Sequence, residues 1–125
     1  LNLTTIQGRL TADPVYKKTQ SGKDCAIFNI ATDRDYKDKN GKKITDFIHV
    51  VTWAGVATVA KKLCKKGTGV IIVGRFQSYD KETSDGKIRI TSLNAQQMYV
   101  IQNFKESTNE EMGNVKEAEE EEVPI

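Results

Sequence analysis

From Leu3 to Ile101, apolar and polar residues alternate with a period of two over most of the chain, the spacing that sets one face of a strand on a core and the other in solvent. Residues 3–10 read as a first strand, closed by the turn-forming Ala12-Asp13-Pro14. After a glycine-containing turn in "QSGKD", residues 25–35 set Ala26, Phe28 and Ile30 on one face and Ile27, Asn29 and Ala31 on the other. The charged stretch "YKDKNGKK" carries Asn40-Gly41, a strong hairpin signal, and residues 45–53 form the return strand of a long two-stranded arm. The period then changes. Val56, Val59, Ala60, Leu63 and Cys64 recur at helical spacing, with lysines toward the end and Gly67 as a stop. Residues 69–77, holding Val70-Ile71-Ile72-Val73, form a buried strand, and "DKETSDGKIR" turns it back into a last strand over 88–101. Three strands, a short helix and two strands are what an all-β, five-stranded Greek-key OB barrel requires. An SH3-like barrel fits the periodicity almost as well.

The return strand carries the most chemistry. In "TDFIHVVTW", Phe47, His49, Val51 and Trp53 share one face while Ile48 and Val50 face the other way. Phe47 and Trp53 are then roughly 20 Å apart along the strand. Aromatic rings spaced along a groove with cations between them suit unpaired bases, because every base has a π-face. The competing reading makes any one such aromatic a core residue. Tyr36 and Tyr79 favour the first reading, since they sit among Lys37, Lys39, Lys42, Lys43, Lys81 and Lys87 in hairpin regions rather than in the core pattern. Phe28 with Ile30 and Phe76 with Ile72 read as ordinary core.

Charge sharpens this picture. Residues 1–105 carry 18 Lys and Arg against 9 Asp and Glu, whereas residues 106–125 carry one lysine against eight glutamates. The formal net charge of +2 therefore hides a basic body and an acidic tail. The body, residues 1–105, suits a polyanionic partner. The tail, residues 106–125, has no hydrophobic period and is expected to be disordered. Two distant cysteines and one histidine argue against a disulfide framework or a metal site, and no cofactor is expected. Asp46 and His49, three apart on a strand, point to opposite faces and make no catalytic dyad, so an enzyme is not expected. No apolar run reaches the ~20 residues that span a bilayer, and the expectation is a reduced, cytoplasmic protein with no membrane association.

The ordered set "NLTTIQGRLTADP", "SGKDCAIFNIATDR", "DFIHVVTWAGVATVAKKLCKKG" and "VIIVGRFQS" resembles the bacterial-type single-stranded DNA-binding proteins, which bacteriophages also encode. The resemblance covers about residues 2–101 and the tail. It implies an OB fold, sequence-tolerant binding of single-stranded DNA, and a homotetramer around which DNA wraps, with a dimer as the alternative assembly. It places the family's stacking aromatics on Tyr36 in "RDYKD", Phe47 in "TDFIHV" and Trp53 in "VTWAG". The fourth falls on Lys81, with Tyr79 two residues earlier on the same strand face, so that either Tyr79 substitutes by a shift along the strand or that stack is lost. Arg9, Lys17, Lys18, Arg75 and Arg89 are the phosphate-contact candidates, although a lysine-rich strand edge carries cations in any case. An RNA-binding OB module and a protein adaptor are the competing functional classes.

In the family, an acidic tail with a short apolar tip recruits replication, recombination and repair proteins. Here Glu119, Glu120, Glu121 and Glu122 precede Val123, Pro124 and Ile125, which keeps the acid-then-apolar order but ends on isoleucine rather than an aromatic residue.

Overall fold

The computed structural model describes residues 1–102. Six strands and one helix follow the chain as β1 (Thr4–Leu10), β2 (Val15–Lys18), β3 (Asp24–Lys37), β4 (Lys43–Trp53), α1 (Ala54–Leu63), β5 (Gly69–Thr83) and β6 (Gly86–Gln102). Five of the strands close a ring. β1 pairs with β5, β5 with β6, β6 in parallel with β4, β4 with β3, and β3 returns to β1 through Arg9 opposite Ala31 and Leu10 opposite Ile30. This is the five-stranded Greek-key barrel expected from the order of elements, with the helix between the third and fourth barrel strands.

The additional strand β2 pairs only with β3, Val15 opposite Ile27 through Lys18 opposite Asp24. Its four residues are too few to show a period in the sequence. The turn that joins it to β3 is the predicted "QSGKD", with the Thr19 carbonyl accepting from the Gly22 amide at 2.9 Å. Both hairpin arms are longer than periodicity suggests. β5 and β6 stay paired to Thr83 opposite Gly86, so Asp80, Lys81 and Glu82 are strand rather than turn. Beyond the barrel both faces of this ribbon meet water, and its sequence therefore loses the apolar alternation that marks a strand. At the other arm, the Asp38 carboxylate accepts from the amides of Asn40 and Lys42, and Gly41 takes a φ of 79° that suits glycine.

The barrel interior is filled. Leu10, Ile30, Val50, Ile72, Leu93 and Met98 are fully buried, and Val56, Ala57, Val59 and Ala60 of α1 cap this core. The helix has no side-chain N-cap, and its C-terminal end is held by backbone instead, with Gly67 donating to the Leu10 carbonyl and Leu10 to the Thr68 carbonyl. Thr52, buried on β4, gives its hydroxyl to the Ala26 carbonyl at 2.8 Å. Two glycines allow strands to cross at close range. A Cβ on Gly8 would lie 2.6 Å from the Ala31 carbonyl oxygen, and one on Gly74 only 2.1 Å from that of Asn94, where β5 shifts register against β6. Because the obstructing atoms are backbone, no rotamer change relieves them. Gly74→Ala should therefore cost about 1–3 kcal/mol, the range for overpacking, seen as a lower urea midpoint; an unchanged midpoint would show that this crossing is not tight.

Candidate nucleic-acid interface

The face of β4 that carries Phe47, His49, Val51 and Trp53 points away from the filled core. Phe47 is 71% exposed and Trp53 36%, and the two other aromatics, Tyr36 and Tyr79, are also exposed. The interior is already filled, by Phe28 and the aliphatic side chains around it, so these four rings decorate the outer face. Such a set of exposed aromatics is not what burial of apolar area would select on a free surface.

Register places the neighbours. On β3, Cys25, Ile27, Asn29 and Ala31 lie opposite Trp53, Val51, His49 and Phe47, and Val51 also lies beside Asn94 of β6. Asn94 and Ser92 in turn face Arg75 and Gln77 of β5. The result is one groove of about 470 Å³ that runs across β2, β3, β4, β6 and β5 and brings together Trp53, Tyr79, Lys17, Lys18 and His49. Arg75 flanks it through its pairing with Asn94. Phe47 continues the same face of β4. Tyr36 stands further out, on the β3–β4 arm.

Arg9 and Arg89 lie elsewhere. Arg9 lines a separate, polar depression with Asp33 and Asp35, although it sits beside Ala31, whose other neighbour is Phe47. Arg89 is directly opposite Asp80 on the β5–β6 arm and donates to its carboxylate at 3.0 Å, on the ribbon face opposite Tyr79. Lys18 is likewise matched, to Asp24 at 2.9 Å. That contact holds the Asp24 carboxyl below, and the Lys18 ammonium above, its ordinary value. The residues of the tail, Glu119 to Ile125, lie outside the described residues.

Three supporting features rest on contacts or backbone geometry that the sequence does not reveal. Arg34 makes a two-pronged ion pair with Asp46, 2.9 Å on each prong, and its Nη1 donates to the Tyr36 hydroxyl at 3.1 Å. The guanidinium thus fixes a ring whose face it also approaches, 6.0 Å from the centroid. Its hydrogen bonds raise the Arg34 pKa and lower that of Asp46. His49 Nδ1 lies 3.0 Å from Asn29 Oδ1, which orients the imidazole in the groove. Ala54, immediately after Trp53, has a φ of 53°, a left-handed conformation that turns the chain from β4 into α1 at the ring. Asp46 thus pairs with Arg34 and His49 with Asn29, not with each other.

The two cysteines are buried and unbridged. Burial pushes the Cys64 thiol up to about 12. Among the described residues there is no cluster of three potential metal ligands, and no helix is long and apolar enough to cross a membrane.

With this geometry in view, comparison with known proteins is decisive. Residues 1–101 match the model of the single-strand binding protein family. The chain belongs to that family. Curated relatives include single-stranded DNA-binding protein 1 of Lactococcus lactis, 32% identical over 84% of this chain and 71% of its own length. Single-stranded DNA-binding protein 1 of Streptococcus pyogenes is 31% identical over 87% of this chain and 85% of its own. For the Enterococcus faecalis protein identity is 33% over 84% of this chain, but this chain spans only 53% of that relative. Among solved structures, a Plasmodium falciparum SSB in complex with single-stranded DNA superposes with a TM-score of 0.68 and 26% identity, covering 76% of this chain and 86% of that one. Single-strand binding proteins thus share the barrel on which the groove is built.

The ion pair predicts an acid dependence. Asp46 has a lowered pKa when folded, so its contribution is complete above the unfolded value near pH 4 and is lost as pH falls through the lower folded value. The thermal midpoint should be flat between about pH 7 and 5 and fall below about pH 4. Asp46→Asn should reduce that acid loss, with Asp24 and Asp33 supplying the remainder; an identical acid profile in the variant would count against the pairing.

Proposed function

We propose that this chain binds single-stranded DNA with little overall sequence preference, protecting it during replication, recombination and repair. The observation that carries the reading is the outward placement of Trp53, Phe47, Tyr36 and Tyr79 on a barrel whose interior is already full. Bases stack on these rings, each stack being worth about 1–3 kcal/mol by alanine substitution, with on the order of 4–16 nucleotides per barrel. Lys17, Lys18 and Arg75 border the groove and meet phosphates. Arg9 extends the path past Phe47. Arg89 is the weakest contributor, because it is paired with Asp80 on the ribbon face opposite Tyr79, away from the groove.

Binding by cation pairing releases counterions, so affinity falls with salt at about −0.7 per phosphate neutralised. The homotetramer and the recruitment of replication, recombination and repair proteins through Glu119–Glu122 and Val123-Pro124-Ile125 belong to the same proposal. The acidic tail competes with DNA for the basic body while Val123-Pro124-Ile125 engages a protein partner.

One fluorescence titration with oligo(dT) tests the reading in three chains. The intact protein should bind with quenching of Trp53. Trp53→Ala, followed by anisotropy of labelled DNA, should bind at least about fivefold more weakly, and a chain lacking residues 119–125 should bind as tightly as the intact protein or more so. Unchanged affinity in folded Trp53→Ala would refute stacking, and weaker binding by the truncated chain would refute the competing tail.

A further inference from the structure

Among the buried polar side chains, Thr52 is satisfied by the Ala26 carbonyl and Thr68 accepts from the Lys65 amide at 3.0 Å. Ser92 differs. It is 6% exposed, lines the groove, and its hydroxyl has no hydrogen-bond partner among the described residues. Buried hydroxyls are nearly always paired, and one that is not points to something that comes from outside the chain.

Its neighbours supply the rest of a recognition set. Asn94, two residues on along β6 and therefore on the same face, donates through Nδ2 to Oε1 of Gln77, the residue directly opposite Ser92. That bond orients both amides. It leaves Gln77 Nε2 as a donor and Asn94 Oδ1 as an acceptor, neither with a partner among the described residues. Together with the Ser92 hydroxyl, the groove floor offers two donors and an acceptor between the rings of Trp53 and Tyr79.

We propose that this floor reads the hydrogen-bonding edge of one unpaired base, and that the base it accepts best is a pyrimidine. The inference rests on the groove's binding of single strands and adds an edge-specific contact to it. A thymine edge presents acceptor, donor, acceptor in its O4, N3–H and O2. Two donors and one acceptor complement that edge, and equally that of cytosine, whose N3 and O2 accept and whose N4 amino group donates. A purine offers a single acceptor on this edge, N1 of adenine or O6 of guanine, so one of the Ser92 and Gln77 donors stays unpaired against either. The single strand as a whole stays sequence-tolerant because the other bases meet only π-faces and phosphate partners, while this one subsite discriminates.

Homopolymer comparison alone is a poor test, since oligo(dA) stacks on itself before it meets the protein. The probe is instead oligo(dT) of about 16 nucleotides and its counterpart in which every thymine carries a methyl group on N3. Methylation keeps the ring and the backbone but removes the N3–H donor. The full chain should bind the methylated strand roughly tenfold more weakly, the order expected when buried partners are left unmatched. In Asn94→Ala, which lacks the acceptor for N3–H, this gap should shrink to about twofold or less. Ser92→Ala should lower affinity for oligo(dT) while leaving the melting temperature equal or higher, because a methyl group replaces a buried unpaired hydroxyl. If the full chain binds both strands equally, or if Asn94→Ala keeps the whole gap, the edge contact is wrong while stacking stands. If neither strand binds, the groove's assignment to single strands falls as well.

Discussion

The pairing of β1 with β3 at Arg9 and Leu10 is the constraint on which the rest of the protein depends. Without it the six strands form an open sheet, and both faces are free to acquire apolar cover. With it the sheet becomes a ring with an inside and an outside. The inside is small and is filled by Leu10, Ile30, Val50, Ile72, Leu93 and Met98, and the mouth is capped by α1. Gly8, one residue before the pairing, is the local requirement for closure, because any side chain there meets the Ala31 carbonyl oxygen.

Closure then dictates what the outer face can be. Alternation along β4 sends every second residue outward, so Phe47, His49, Val51 and Trp53 cannot join the core whatever their hydrophobicity. Their exposed apolar area is the structural correlate of the proposed stacking surface. The same alternation on β5 and β6 supplies the polar floor of the groove through Gln77, Ser92 and Asn94. Rings at the flanks and hydrogen-bonding groups at the base therefore arise from one topological fact rather than from separate local devices. The polar contacts outside the barrel, Asp46 to Arg34 to Tyr36 above all, serve to hold rings that the core cannot reach.

Much of this was legible in the chain because period-two alternation is strong wherever one face is buried. β1, the barrel portions of β3 and β4, α1 and the start of β5 follow from it directly. The four-residue β2 was not legible, nor were the outer halves of the arms, where both faces are wet and Asp80 to Glu82 resemble a turn. Phe47 and Trp53 could be singled out from the shared face of their strand and Tyr36 and Tyr79 from their lysine-rich surroundings, and the structure places Trp53 and Tyr79 in one groove with Lys17 and Lys18. The position of Arg89 across from Asp80 was invisible, since it depends on the register of β5 against β6. Arg34, Asn94 and Ser92 were missed for the same reason: their meaning lies in partners 12 to 17 residues away or in the lack of one.

The most direct measurement of the central claim is photocross-linking of the full chain to oligo(dT) bearing 5-iodouracil, followed by peptide mapping. Cross-links should concentrate on Trp53 and Phe47 of β4 and on Tyr36 and Tyr79 of the two arms. Cross-links confined to Tyr16 and Tyr99, outside the groove, would contradict an interface built on the outer face of the closed barrel.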